Sequence, residues 1–145
     1  MNISDILRHK HSTSGADVVT IEPTDTVATL VAKLAEHNVG ALLAVEGDRV
    51  VGIVSERDVV RRIAERGAPV LDVSVGQIMT TSVVSCASTD SIDSIAETMT
   101  ERRIRHMPVI DDDHLVGIIS IGDVVSSRMR QLEKDRGQLE QYISG

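Results

Sequence analysis

The chain has 145 residues, of which 26% are charged and 41% hydrophobic, and a net charge of −7. That length allows one compact domain or two small fused halves. The acidic balance works against DNA, RNA and anionic lipid, and no apolar stretch is long enough to span a membrane.

Phe and Trp are absent and Tyr142 is the single aromatic residue, so the chain offers almost no stacking surface for nucleic-acid bases. The core has to come from Val, Ile, Leu, Ala and Met, and a flat ligand ring would lie between aliphatic walls. Cys86 stands alone, which excludes an internal disulfide and a paired-cysteine metal site. The opening "MNISDILRHK" has no long apolar region and carries Asp5, so it does not read as a signal peptide and the expected location is cytoplasmic.

In chain order, Asn2–Leu7 reads as a short helix and Arg8–Asp17 as an added polar loop. His9 and His11 lie in that loop without a cysteine or HExxH spacing, and a metal site needs three or four convergent ligands. Val18–Ile21 is β-branched and reads as a strand. Pro23 and Asp25 mark a turn, after which Val27, Leu30, Val31 and Leu34 fall at helical spacing. Ala41–Val45, the turn Glu46-Gly47-Asp48 and Val50–Val54 form a hairpin signal. A helix over Glu56–Arg66 then stops at Gly67. Ser74 and Gln77 have capping-box spacing, with Val73 and Ile78 placed as a hydrophobic staple, so a short helix introduces the next segment.

That next segment repeats the first. "VGIVSERD" (Val51–Asp58) returns 65 positions later as "VGIISIGD" (Val116–Asp123), and no gap is needed from Val18 to Asp58. This is an internal duplication. Ile92, Ile95, Ala96 and Met99 repeat the helical stripe. Met107–Ile110, Asp111-Asp112-Asp113 and Leu115–Ile119 repeat the hairpin, with Pro108 assigning its strand to a sheet edge. One copy alone buries little core, so two copies packed sheet to sheet are expected to share one. The boundaries are 1–70 for the first copy with its introductory helix, 71–130 for the second, and 131–145 for a helical tail. From Val124 into that tail, Val125, Met129, Leu132, Leu139 and Ile143 form a broken apolar stripe interrupted by Gly137. It reads equally as a half-ordered tail or as a dimer- or partner-contacting helix.

The repeated phrase has two readings. In the structural one, Ser55 and Asp58, like Ser120 and Asp123, are the N-cap and acidic N3 residues of a helix. In the functional one, a strand running straight into a helix presents backbone N–H groups and a positive dipole end. A hydroxyl and a carboxylate stand beside them, and a carboxylate accepts both hydrogen bonds of a vicinal diol. These groups suit a nucleotide, with ribose on Asp and phosphate on Ser and backbone.

The two motifs, the duplication and "RHMPVID" (Arg105–Asp111) together resemble a tandem pair of CBS domains, the arrangement called a Bateman module, over roughly Asn2–Arg130. The resemblance implies an α/β fold of the α+β type, with two pseudo-symmetric β-α-β-β-α repeats packed through their small sheets. It implies two clefts that bind AMP, ADP or ATP, and in some members S-adenosylmethionine. It also implies a non-catalytic module that regulates an effector protein and pairs into a flat homodimer.

The family's motif, Gly-apolar-apolar-Ser/Thr-x-x-Asp, is matched by Gly52, Ser55 and Asp58 and by Gly117, Ser120 and Asp123. The resemblance places Arg105 and His106 at the phosphates, whereas the first copy has Gly40 and Ala41 there, which makes the two clefts unequal. Thr20 and Ile21, or Ser85 and Cys86, would border the base, and Arg57 would reach a phosphate. Arg61 and Arg62 read as a solvated helix face, and Arg102 and Arg103 as solvated caps favoured by the helix dipole. Cys86, aligned with Ile21, reads as a buried apolar residue. No nucleophile–base constellation is evident. A ligand-free interaction module remains the alternative.

Overall fold

The structure is a computed structural model that describes residues 1–14 and 18–144 and, of residues 11–14 and 144, the backbone alone. The order of elements is α1 (Ile3–Ser14), β1 (Thr20–Ile21), α2 (Val27–His37), β2 (Ala41–Glu46), β3 (Arg49–Ser55), α3 (Glu56–Arg66), α4 (Ile92–Arg102), β4 (His106–Asp111), β5 (His114–Ser120) and α5 (Ile121–Ser144). Two 3-10 turns, Ala68–Asp72 and Val75–Gln77, lie between α3 and α4.

The duplication is visible in the hydrogen bonding. β2 and β3 form an antiparallel hairpin, as do β4 and β5, and each register shifts at the matching place, between Ala44 and Val45 and between Val109 and Ile110. β1 adds a parallel strand to β2, with Thr20 opposite Leu43 and Ile21 opposite Ala44. The second half keeps only the Cys86–Val109 bridge, in which Cys86 N donates to Pro108 O and Ile110 N to Cys86 O. Pro108 stands where the first half has Leu43 and has no N–H to donate, so the pairing there shrinks to one bridge. The strand expected over Val18–Ile21 is accordingly a two-residue strand in one copy and a single bridge in the other.

Each half builds its own core, in place of the single shared core expected from the size of one copy. Ile21, Val27, Leu30, Leu34, Leu42 and Val54 centre the first, and Cys86, Ile92, Ile95, Met99, Met107 and Ile119 the second. What lets each small unit close is an exchange of the introductory segments. Val75 and Ile78, from the turn that precedes the second copy, are buried in the first core, and Ile3 and Ile6 of α1 are buried in the second. Backbone bridges pin the exchange, Ser74 to Thr26 and Asn2 to Ser91. Chain order alone assigns each segment to the copy it precedes, and the packing reverses that assignment.

Three local expectations differ as well. The polar stretch after Leu7 continues α1 as helix to Ser14, whereas residues 15–17 of the expected loop lie outside the described residues. Ser74 caps only a three-residue 3-10 turn and makes no side-chain cap hydrogen bond, so no capping box forms there. The tail is continuous with α5 and Gly137 does not interrupt it.

Candidate functional site

The repeated phrase closes each hairpin at the same point. β3 ends at Ser55, where the backbone is extended (φ −116°, ψ 164°), and α3 begins at the next residue. Asp58 N donates to Ser55 Oγ (3.2 Å), Ser55 N donates to Asp58 Oδ2 (2.8 Å), and Ser55 Oγ donates to the same oxygen (3.0 Å). This is a reciprocal capping box. The second copy repeats it, with Asp123 N to Ser120 Oγ at 3.1 Å and Ser120 N to Asp123 Oδ2 at 2.8 Å. The structural reading of the motif is therefore correct in both halves.

The cap leaves chemistry to spare. It engages Asp58 through Oδ2, and among the described residues Oδ1 makes no hydrogen bond. At the helix start, Glu56 N donates to Gly40 O (3.0 Å) and Asp58 N serves the cap. Of the first three helical N–H groups only that of Arg57 is without a partner among the described residues, fewer than the bare helix terminus expected from sequence.

Ser55, Arg57 and Asp58 line a cleft of about 280 Å³ between the two halves, close to the lower end of the range typical of small-molecule sites. Across from them stand Arg103, Arg105 and His106 of the second half. Ile53, Val83, Val84 and Ile104 supply aliphatic walls, and Thr80 and Ser82 a polar margin. The halves meet beside it, where β3 approaches β5. The His106 ring lies against Gly40: a methyl group on that glycine would stand 3.5 Å from His106 Nε2 and 3.7 Å from Glu56 Oε1. Burial lowers the His106 pKa below its usual value. Lys10 and Arg105 act in the same direction, opposed by Asp123 and Glu56.

The structure thus brings Ser55, Arg57, Asp58, Arg105 and His106 together. It also brings in two residues read from sequence as solvated. Arg61 lies one helical turn after Arg57 and faces the cleft, unlike Arg62, which pairs with Glu65. Arg103 is the C-cap of α4 in left-handed conformation (φ 54°), and that turn sends it to the cleft. Helical spacing from Arg57 signals Arg61, and the local run of positive charge Arg102–His106, an anion trap in a chain of net charge −7, is the signal for Arg103.

The structure does not bring Ser85, Cys86, Thr20 or Ile21 to this cleft. Cys86 and Ile21 are core residues, and burial, with Asp90 and Asp111 nearby, pushes the Cys86 thiol up to about 12. Ser85 is exposed outside the cleft. Thr20 lines a separate depression with Val45 and His114, and its carbonyl accepts from Lys33 Nζ. The wall assigned to the Ser85 strand is supplied by the preceding residues, Ser82–Val84.

At the second motif, Asp123 Oδ2 also accepts from Lys10 Nζ of α1 (2.9 Å), and Lys10 Nζ donates to Ile118 O (2.8 Å). Among the described residues no group of three or more His, Cys, Asp and Glu is placed to hold a metal ion, and no helix is long and apolar enough to cross a membrane. The side chain of His11 lies outside the described residues.

Residues 3–65 and 75–130 each match the CBS domain. The chain belongs to the CBS-domain family. It is 34% identical over 148 residues to the mitochondrial CBS domain-containing protein CBSX3 of Arabidopsis thaliana, covering 99% of this chain and 72% of that one. The crystal structure of the CBS-domain containing protein ATU1752 from Agrobacterium tumefaciens is 40% identical, with a TM-score of 0.82 over 88% of this chain and 99% of that one. The CBS domain pair of MJ0100, in complex with 5′-methylthioadenosine and S-adenosyl-L-methionine, has a TM-score of 0.75 at 23% identity, covering 92% and 98%; at that identity the likeness speaks for the fold alone. Architecture and family agree: the molecule is a CBS-domain pair made of two α+β repeats.

Proposed function

We propose that this CBS pair is a non-catalytic cytoplasmic sensor that binds one adenine nucleotide (AMP, ADP or ATP) in the Asp58 cleft and signals to a partner protein. The observation that carries the reading is the convergence, from both halves, of a half-bonded carboxylate with Arg57, Arg61, Arg103, Arg105 and His106 around an aliphatic slot. Asp58 Oδ1 accepts from the ribose diol while Oδ2 keeps the cap. The basic side chains and the Arg57 N–H receive phosphate, where charge-assisted hydrogen bonds are the strong ones. The base lies between Ile53, Val83, Val84 and Ile104, apolar walls that suit a purine without aromatic stacking.

A ligand held this way touches both repeats. It therefore favours whichever relative position of the halves contacts it better, and shifts the equilibrium by that difference in affinity. Output passes to a second copy or an effector through α5, whose Val125, Met129, Leu132 and Leu139 are exposed.

The experiment is calorimetry and thermal unfolding of protein stripped of bound small molecules, titrated with AMP, ADP, ATP, GTP and S-adenosylmethionine. Ligand at one hundred times its Kd stabilises the folded state by about 2.7 kcal/mol. A shift with adenine nucleotides that is lost in Asp58→Asn supports the reading. Flat titrations with every adenine ligand overturn it in favour of a ligand-free interaction module, and a response to S-adenosylmethionine alone reassigns the ligand.

A further inference from the structure

The two motifs are equal in sequence and unequal in surroundings. The basic residues around Asp58 are Arg57, Arg61, Arg103, Arg105 and His106. The repeat places Gly122, Ser126, Asn38, Gly40 and Ala41 at the corresponding positions near Asp123, and none of these carries charge. What the second motif has instead is Lys10. Its ammonium lies 2.9 Å from Asp123 Oδ2 and 2.8 Å from Ile118 O, both partners half-buried.

The position of that ammonium is set by the fold. In the first half, Ile53 exchanges backbone hydrogen bonds with Thr80, N to O at 3.0 Å and O from N at 2.9 Å. Ile118 is the counterpart of Ile53. Its carbonyl is met by a side chain, because the segment that follows Leu7 is helix, whereas the one that follows Met79 is extended. One further turn of α1 beyond Leu7, which is packed on Gly117, carries Lys10 over the cap of α5.

We propose that Lys10 is an internal occupant of the second motif and restricts the chain to one nucleotide. The ammonium shares Asp123 Oδ2 with the cap and stands in the space before the carboxylate that a ribose would fill, and none of the matching positions carries an arginine or histidine to receive a phosphate. The inference rests on the reading of the Asp58 cleft as the nucleotide site. Removing the ammonium opens that space to a nucleoside, with no arginine at the matching positions to hold a phosphate.

Two measurements test this. Calorimetry on stripped protein is expected to give one AMP per chain for the wild type. Lys10→Ala and Lys10→Met are expected to keep that site and to take up a second equivalent of adenosine. Two AMP per wild-type chain, or no added adenosine site in either variant, overturns the proposal. A wild type that binds no adenine nucleotide overturns the reading of the first cleft, and the count of one falls with it.

Amine acylation followed by peptide mass spectrometry examines the contact without any ligand. Lys10 is expected to react several-fold more slowly than Lys134, and Asp123→Asn to abolish that protection. Equal rates for Lys10 and Lys134 in the wild type overturn the internal occupant whatever the nucleotide does.

Discussion

Met79 lies directly over Gly52, so that a methyl group on the glycine would stand 2.5 Å from Met79 Sδ and 3.1 Å from Thr80 O. Leu7 covers Gly117 in the same way, with Cδ2 at 2.6 Å from such a methyl. The glycine of each repeated phrase therefore makes room for an introductory segment. Gly52→Ala and Gly117→Ala are each expected to destabilise the protein by about 1–3 kcal/mol, the usual cost of overpacking. Gly122→Ala is the control: a methyl there meets only Ser120 Oγ at 3.6 Å, and alanine is the better helix residue. Urea titration of the three variants checks the order, and equal midpoints would remove the packing role.

The exchange of introductory segments makes the location of damage predictable. Ile3 and Ile6 are fully buried in the second core, although they precede the first copy. Ile6→Ala is expected to cost about 2–5 kcal/mol and to raise hydrogen exchange first in α4, β4 and β5. Val75→Ala, the mirror-image change, is expected to loosen α2 and β2 instead. Protection lost in the half that each segment precedes would contradict the exchange.

Much of this architecture is legible in the sequence because it rests on local signals. The stripe Val27, Leu30, Leu34 and its repeat Ile92, Ile95, Met99 gave both buried helix faces, and alternation with turn residues gave both hairpins. What stayed hidden is long-range. Ser74 and Gln77 carry a capping spacing that never becomes a cap, since the segment is held in place by Thr26 and the first core. Lys10 and Asp123 are 113 positions apart, and no spacing rule joins them. Arg103 reaches the cleft through a left-handed backbone turn that arginine seldom adopts. The Ser and Asp of each phrase were legible twice over, as cap and as ligand, and the two roles are compatible because the cap uses one carboxylate oxygen.

That division of labour is open to experiment. Ser55→Ala and Ser120→Ala remove equivalent caps, so each is expected to cost about 0.5–2 kcal/mol of stability. Only Ser55→Ala should weaken AMP, because only its cleft carries the basic cluster. Asp58→Asn keeps an oxygen for the Ser55 N–H and loses the charge offered to the diol. It is expected to weaken AMP binding by about 1.5–3 kcal/mol with a smaller change in stability. Calorimetry and denaturant unfolding on the same four proteins separate the effects; matched losses of AMP affinity in Ser55→Ala and Ser120→Ala would show that the clefts are alike.

His106 links the halves through a proton. Its ring lies on Gly40 and is faced by Asp123 of α5, Lys10 of α1, Glu56 of α3 and its own neighbour Arg105. Burial, the largest influence, sets its pKa below the usual 6.5, so the unfolded chain binds this proton more readily than the folded one. The stability that neutral His106 contributes is complete above the unfolded pKa and is lost as pH falls from there through the folded value. The wild type should lose more stability between pH 7.5 and pH 5 than His106→Gln, measured as the difference in denaturant midpoints. A bound phosphate beside the ring favours the protonated form, so AMP should bind more tightly at the acid end in the wild type and show a flatter pH profile in His106→Gln. Parallel pH profiles for the two proteins, with and without AMP, would remove His106 from both roles.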